Sequence, residues 1–276
     1  MSVRNLALVV CCLSSIFASI AASAQPNPAA LRPTKPWVLD FNDKECLAER
    51  TYASPSGPVI FGIRPAIGGT NFELIIATNG RGPSLGIQRQ GLVSFNGAAV
   101  RSWYLLYGVK KSNLAIHKYR IPVTDVAAIR GADTITFQAD GRPPITLTIP
   151  AVGKVMDGLQ QCLVLLRAHW NMDAAGTARI SASPQGTIAG LFKSSDYPME
   201  AVDRAQSGNT QFQLLIDERG RVANCYVVST SGIPVLEVMG CTVIRERARF
   251  KAAQDSRGNA VRASIVTPPV RWVVMR

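Results

Sequence analysis

The chain has 276 residues, a formal charge of +12 and 47% hydrophobic residues. Its pI lies near 9.8, but fourteen basic residues stand against ten acidic ones over 36–176, and twelve against eight over 190–276. A dispersed excess of this kind argues against a nucleic-acid-binding stripe; it fits a mildly basic protein among anionic envelope polymers or acidic partner surfaces.

Residues 1–24 read as an export signal. A basic residue at Arg4 precedes an apolar run of small residues, and Ala22-Ser23-Ala24 before Gln25 forms a small-x-small cleavage site. The alternative is an uncleaved anchor, since residues 6–24 as a helix span about 28 Å, just enough for a bilayer core. Cleavage predicts a periplasmic protein, and an uncleaved segment predicts one anchored in the inner membrane. A lipoprotein reading of Cys11 or Cys12 places the modified cysteine too near Met1.

Export sets the chemistry of the cysteines. Beyond the signal an even set remains, Cys46, Cys162, Cys225 and Cys241, in a compartment that favours disulfides. There is no C-x-x-C, and the two histidines, His117 and His169, stand apart, so neither a metal site nor a cofactor is expected.

Residues 25–36, QPNPAALRPTKP, hold four prolines and read as an extended tether reaching about 40 Å. A β-rich domain is expected over 37–172. "WVLDF", "PVIFGIR", "FELIIAT", "SWYLLYGV" and "LAIHKYRIP" are strand candidates, and "TITFQADGRPPITLTIP" reads as a hairpin about Asp140-Gly141. A helix closes the domain, with Val155, Leu159, Cys162, Leu163 and Leu166 at three- and four-residue steps. A Cys46–Cys162 bridge ties the domain's start to its end and restricts the unfolded chain by about 4–5 kcal/mol. Pairing Cys46 with Cys225 or Cys241 is the alternative and crosses the linker.

Residues 173–189 are small and polar and mark that linker. Residues 190–276 follow the order helix, strand, strand, helix, strand, so the fold class is α+β, the second unit carrying a three-stranded antiparallel sheet and two helices. Pro198 suits a first helical turn, and Asp196 and Glu200 suit the positive end of its dipole. Gly220 supplies a left-handed turn position between two strands. On the second of these, Ala223, Cys225 and Val227 share the face that the next helix covers. That helix presents Val235, Val238, Cys241 and Ile244 every three residues. Sheet–helix packing therefore brings Cys225 to Cys241, and a bridge there contributes about 3 kcal/mol to a small domain.

In order and spacing, these residues resemble the TonB C-terminal domain. The matching features are Tyr197-Pro198, Asp217 with Gly220-Arg221-Val222, Ser229-x-Ser231-Gly232, Arg249-Phe250 and Gly258 before the last strand. The cysteine pair resembles a variant of alphaproteobacterial members. The resemblance implies a periplasmic module that docks on TonB-dependent outer-membrane receptors, linked to energised uptake of nutrients or siderophores. There the receptor's extended TonB box adds as a strand to an exposed sheet edge. The corresponding edge is the last strand, Val261 to Val274. The implied peptide-binding residues are Tyr197, Pro198, Ser264, Ile265, Val266, Thr267, Arg271 and Val273, while Pro268, Pro269 and Arg271 limit unwanted pairing.

Two departures from the family motivate a second reading, a non-transducing structural or adaptor protein of the envelope. Residues 6–24 lack the histidine that couples family members to inner-membrane motor proteins, and a folded domain replaces the long proline-rich spacer. Motor proteins are expected as partners only if the anchor is kept. Minor departures are Glu237, where Asp is usual, and Lys251-Ala252-Ala253, which lacks a proline.

No enzyme activity is expected. Asp140, Asp157, His117 and His169 are scattered, and Ser231-Gly232 lacks the G-x-S-x-G elbow. The run Arg245, Arg247, Arg249, Lys251 reads as a solvated helix face.

Overall fold

The computed structural model describes residues 29–83, 87–109, 112–139 and 141–274. The expected signal over 1–24 with Cys11 and Cys12, the first residues of the expected tether at 25–28, and Asp140 at the hairpin tip lie outside them.

Alternation of apolar and polar residues builds one large antiparallel sheet. Its strands are β1 (Val38–Phe41), β2 (Cys46–Tyr52), β3 (Val59–Pro65), β4 (Asn71–Asn79), β5 (Ile87–Phe95), β6 (Ala98–Gly108), β7 (Leu114–Pro122), β8 (Thr134–Ala139) and β9 (Ile145–Thr148). They lie in the order β1-β2-β3-β4-β7-β6-β5-β8-β9. Phe61 and Ile63 of β3, Leu74 and Ile76 of β4, and Tyr119 and Ile121 of β7 turn inward to one core. The residues between them, including Glu73, Lys118 and Arg120, form the outer wall.

Two strands were not legible. β2 alternates buried Cys46, Ala48 and Tyr52 with Leu47, Glu49 and Thr51, but Arg50 interrupts the inward series, and β5 carries the polar run Gln88, Arg89, Gln90 after Ile87. Part of the expected tether is also structured. Leu31 N donates to Thr146 O at 2.8 Å, Thr148 N to Leu31 O at 3.0 Å, and Thr34 N to Thr51 O at 2.9 Å. Residues 31–34 therefore link β9 to β2 as the sheet curls.

A short helix α1 (Val126–Arg130) precedes β8, and α2 (Val152–His169) packs on β1, β2 and β3. Val155, Leu159, Cys162, Leu163 and Leu166 are all buried, as their three- and four-residue spacing requires. Cys46 and Cys162 are bonded, with their Cα atoms 6.0 Å apart.

Residues 173–189 hold α3 (Ala174–Ala178) and then an extended run. Gln185 and Lys251 exchange backbone bonds of 3.1 and 2.8 Å, and Gln254 N donates to Ala182 O at 2.9 Å. After α4 (Met199–Val202) come β10 (Gly208–Ile216), β11 (Val222–Ser229), α5 (Pro234–Arg247), β12 (Ala253–Gln254), β13 (Ala260–Val261), β14 (Ala263–Val266) and β15 (Val270–Trp272). β10 is central, with β11 on one side and β14 and then β15 on the other. Pro268 and Pro269, which have no N–H, divide the third strand position in two.

Three local expectations are corrected. Ala223 does not share the helix-facing side: the register slips from Leu215↔Asn224 to Ile216↔Val222, so Ala223 is the bulged, exposed residue and Val222 enters the core. On α5, Val238 is 67% exposed, while Leu236, Gly240, Val243 and Ile244 are buried. A step of three residues turns 300°, so a strict three-residue repeat drifts off one face. Pro198 is the residue before α4 rather than in its first turn. Cys225 and Cys241 are nonetheless bonded, Cα to Cα 5.7 Å, because Cys225 lies opposite Leu214, a core residue on the α5 side of the sheet.

Candidate strand-docking edge

The sheet of the C-terminal unit is covered on both faces. Phe212, Leu214 and Ile216 of β10 turn to the α5 side, whereas Leu215 joins the core cluster of the large sheet, with Tyr226 packed against it. Beneath Tyr226 lies a charged cluster that the sequence reading missed. Glu73 is 3% exposed and is surrounded by Arg64, by Lys118 at 3.2 Å and by Arg120 at 3.3 Å. Arg64 also reaches Glu45 at 2.5 Å. Burial alone would raise the Glu73 pKa, but Lys118, Arg64 and Arg120 overcome it and hold the carboxyl well below the usual range. Burial, reinforced by the Glu73 charge, pushes Tyr226 up to about 12. The available signal was a lone glutamate inside the apolar run "FELIIAT".

With its faces covered, the sheet offers its rims. β14 pairs with β10 in the register Gln213↔Val266, Leu214↔Ile265, Leu215↔Ser264, Ile216↔Ala263. Thr267 N donates to Phe212 O at 2.8 Å, which fixes the alternation. Thr267, Ile265 and Ala263 direct their backbone groups at β10, and Ser264 and Val266 direct theirs outward. Among the described residues no strand pairs with that outer side.

The residues implied for peptide binding fall into distinct environments. Val266 is 51% exposed, Val273 is 47% exposed, and Arg271 lies on the surface of β15. Ile265 packs toward the α5-side core. Thr267 is committed internally: its hydroxyl accepts from Phe212 N at 3.1 Å and its carbonyl accepts from Gln211 Nε2 at 2.9 Å. Ser264 Oγ donates to Trp170 O at 2.5 Å, and Asn171 Nδ2 donates to Arg262 O at 2.5 Å. The end of α2 is thus bonded to the start of the strand.

Tyr197 packs edge-on against Trp272 with ring centres 5.5 Å apart, and its hydroxyl donates to Gln206 O. Phe192 meets the same indole at 5.4 Å. Tyr197 therefore supports β15 from the core side, and Pro198 follows it as the cap of α4. Asp196 does not serve a helix dipole. It receives Arg247 Nη1 at 2.5 Å, Arg247 Nη2 at 2.7 Å and Lys193 N at 2.7 Å. Those hydrogen bonds from Arg247 and Lys193 hold its pKa near 2. Arg247 is accordingly a clamp rather than part of a solvated face.

No helix among the described residues is long and apolar enough to cross a membrane. Among the same residues no group of three or more His, Cys, Asp and Glu could hold a metal ion. No curated protein and no solved structure matches the chain. Residues 193–274 match the family model described as the C-terminal domain of the Gram-negative bacterial TonB protein. That family is a non-enzymatic interaction domain of envelope energy transduction. The ordered motifs and the family match agree: residues 193–274 are a TonB C-terminal domain.

Proposed function

We propose that this chain is an envelope TonB-family protein whose C-terminal domain takes up the TonB box of an outer-membrane receptor by strand addition along β14 and β15. The observation that carries this reading is the outer side of β14, where Val266 is exposed and its backbone groups have no strand partner among the described residues. Unpaired edges invite an extended guest, with backbone bonds supplying affinity and alternate side chains selectivity. The bonds from Ser264 to the Trp170 carbonyl and from Asn171 to the Arg262 carbonyl narrow the footprint. A guest registers from Val266 toward Arg271 and Val273, and the start of β14 stays with α2.

The test is cysteine crosslinking in intact cells with Val266→Cys and Arg271→Cys against a cysteine in the TonB box of a TonB-dependent receptor. Both positions should give a crosslinked receptor, while a cysteine at exposed Met199, off the edge, should not. Absence of crosslinks at both edge positions rejects the proposal.

The folded sheet that stands where the family has a long proline-rich spacer favours a second reading, in which the chain is a structural or adaptor protein that holds a partner without transducing energy. It is distinguished by receptor-dependent uptake, which a non-transducing adaptor does not support.

A further inference from the structure

The opposite rim of the same sheet opens into a slot whose chemistry is already set. Phe212 points its backbone groups at β14, so by alternation Gln213 and Leu215 point theirs at β11. Their partners there are Tyr226 and Asn224. Cys225 and Val227 are left facing away from β10. The side chains bear this out: the Cys225 N–H is taken by Asn224 Oδ1 at 2.9 Å rather than by a strand. The carbonyl of Cys225 and both backbone groups of Val227 have no strand partner among the described residues.

This rim lies between two layers. α5 stands on one side, held to β11 by the Cys225–Cys241 bond, and the outer wall of the large sheet stands on the other. The slot between them encloses about 540 Å³ and adjoins an apolar cavity of about 520 Å³. The two share Tyr107, Pro234 and Val238 in their walls. These volumes lie in the range of ligand sites. A gap between layers, in the plane of a sheet and along its unpaired rim, has the shape of a missing strand.

The charges choose the guest. The carboxylates of the slot are all engaged: Glu73 by Arg64, Lys118 and Arg120, Glu45 by Arg64, and Glu237 by the Thr230 hydroxyl and by Ser231 N at 3.1 Å. Lys44 and Arg245, on opposite walls, make no ion pair among the described residues. Arg120 also marks the end of the slot, donating to Val228 O at 3.3 Å.

We propose that the outer edge of β11 is a second docking site, and that it accepts an extended acidic peptide as an added strand between α5 and the large sheet. The guest pairs with Val227 and the Cys225 carbonyl, sets its carboxylates against Lys44 and Arg245, and lodges an apolar side chain near Val238. This site is independent of the β14 edge.

The test uses the full chain and a labelled synthetic peptide, acetyl-Asp-Val-Glu-Val-Asp-amide, in fluorescence anisotropy, beside an analogue with lysine at the three acidic positions. The acidic peptide should bind, weaken with added salt and exceed the lysine analogue in affinity. Val227→Pro removes the edge N–H at a position where a rim tolerates proline, and Arg245→Glu reverses a surface charge. Each should weaken binding by about tenfold or more. Arg257→Glu, at the β12–β13 turn, makes the same charge change away from the slot and should leave binding unchanged. Equal affinity for the two peptides, or unchanged affinity in Arg245→Glu, overturns the proposal, and that variant decides the matter even if Val227→Pro fails to fold.

Discussion

The Ser264 hydroxyl donates to the carbonyl of Trp170, the residue that caps α2, across 2.5 Å. Together with the bond from Asn171 to Arg262 O, it fastens the rim strand of the TonB-type sheet to the N-terminal part of the chain. Each such bond contributes about 1 kcal/mol net. The double variant Asn171→Ala, Ser264→Ala should therefore lose about 2 kcal/mol, seen as a lower urea midpoint with an unchanged slope.

The Glu73 cluster makes a sharper prediction. Removing one partner from a buried ionic group leaves the others uncompensated, at a cost of about 3–5 kcal/mol. Glu73→Gln leaves Arg64, Lys118 and Arg120 around a neutral amide, and its urea unfolding should show a loss of that size. Glu246→Gln, on the exposed side of α5, should change stability by less than about 0.5 kcal/mol.

His117 lies inside the large sheet, its Nδ1 3.0 Å from the Tyr104 hydroxyl. Burial, reinforced by the charge of Arg142, depresses its pKa from 6.5 to about 4. As pH falls below the unfolded value, the unfolded chain binds a proton that the folded chain refuses. The stability present above pH ~6.5 is therefore lost progressively toward pH ~4, by about 3 kcal/mol for this group. Urea midpoints at pH 7, 5.5 and 4 should fall more steeply in the wild type than in His117→Gln, which keeps an acceptor for Tyr104.

Gly220 closes the β10–β11 turn with φ +76°, and a Cβ there would stand 1.8 Å from Phe250 O. Both the left-handed backbone and the close approach exclude a side chain. Gly220→Ala should cost at least about 2 kcal/mol in thermal or urea unfolding.

Much of this architecture was legible because local periodicity and packing agree. α2 was readable from its mixed three- and four-residue steps, and Cys225 met Cys241 because strand alternation and helix position are short-range facts. β2 and β5 were hidden because Arg50 and Arg89 interrupt their inward series while Leu47 and Leu92 stand in the outward one, which blurs the period of two. The bulge at Ala223 has no sequence signal beyond a small residue. In the Glu73 cluster, non-local strand pairing sets Arg64, Glu73 and Arg120 side by side, and only the docking of the two parts of the chain covers them with a tyrosine from β11. The same docking covers the second face of the sheet and bonds the start of β14, which no reading of residues 190–276 alone could reach.

The most direct measurement is amide hydrogen exchange at Val266, with and without a synthetic peptide carrying the TonB box of a TonB-dependent receptor. An outward-facing N–H that gains a strand partner should exchange at least about tenfold more slowly at saturation, with Ile265, already bonded to β10, little changed. Exchange at Val266 that stays the same while the peptide is bound would contradict docking along this rim.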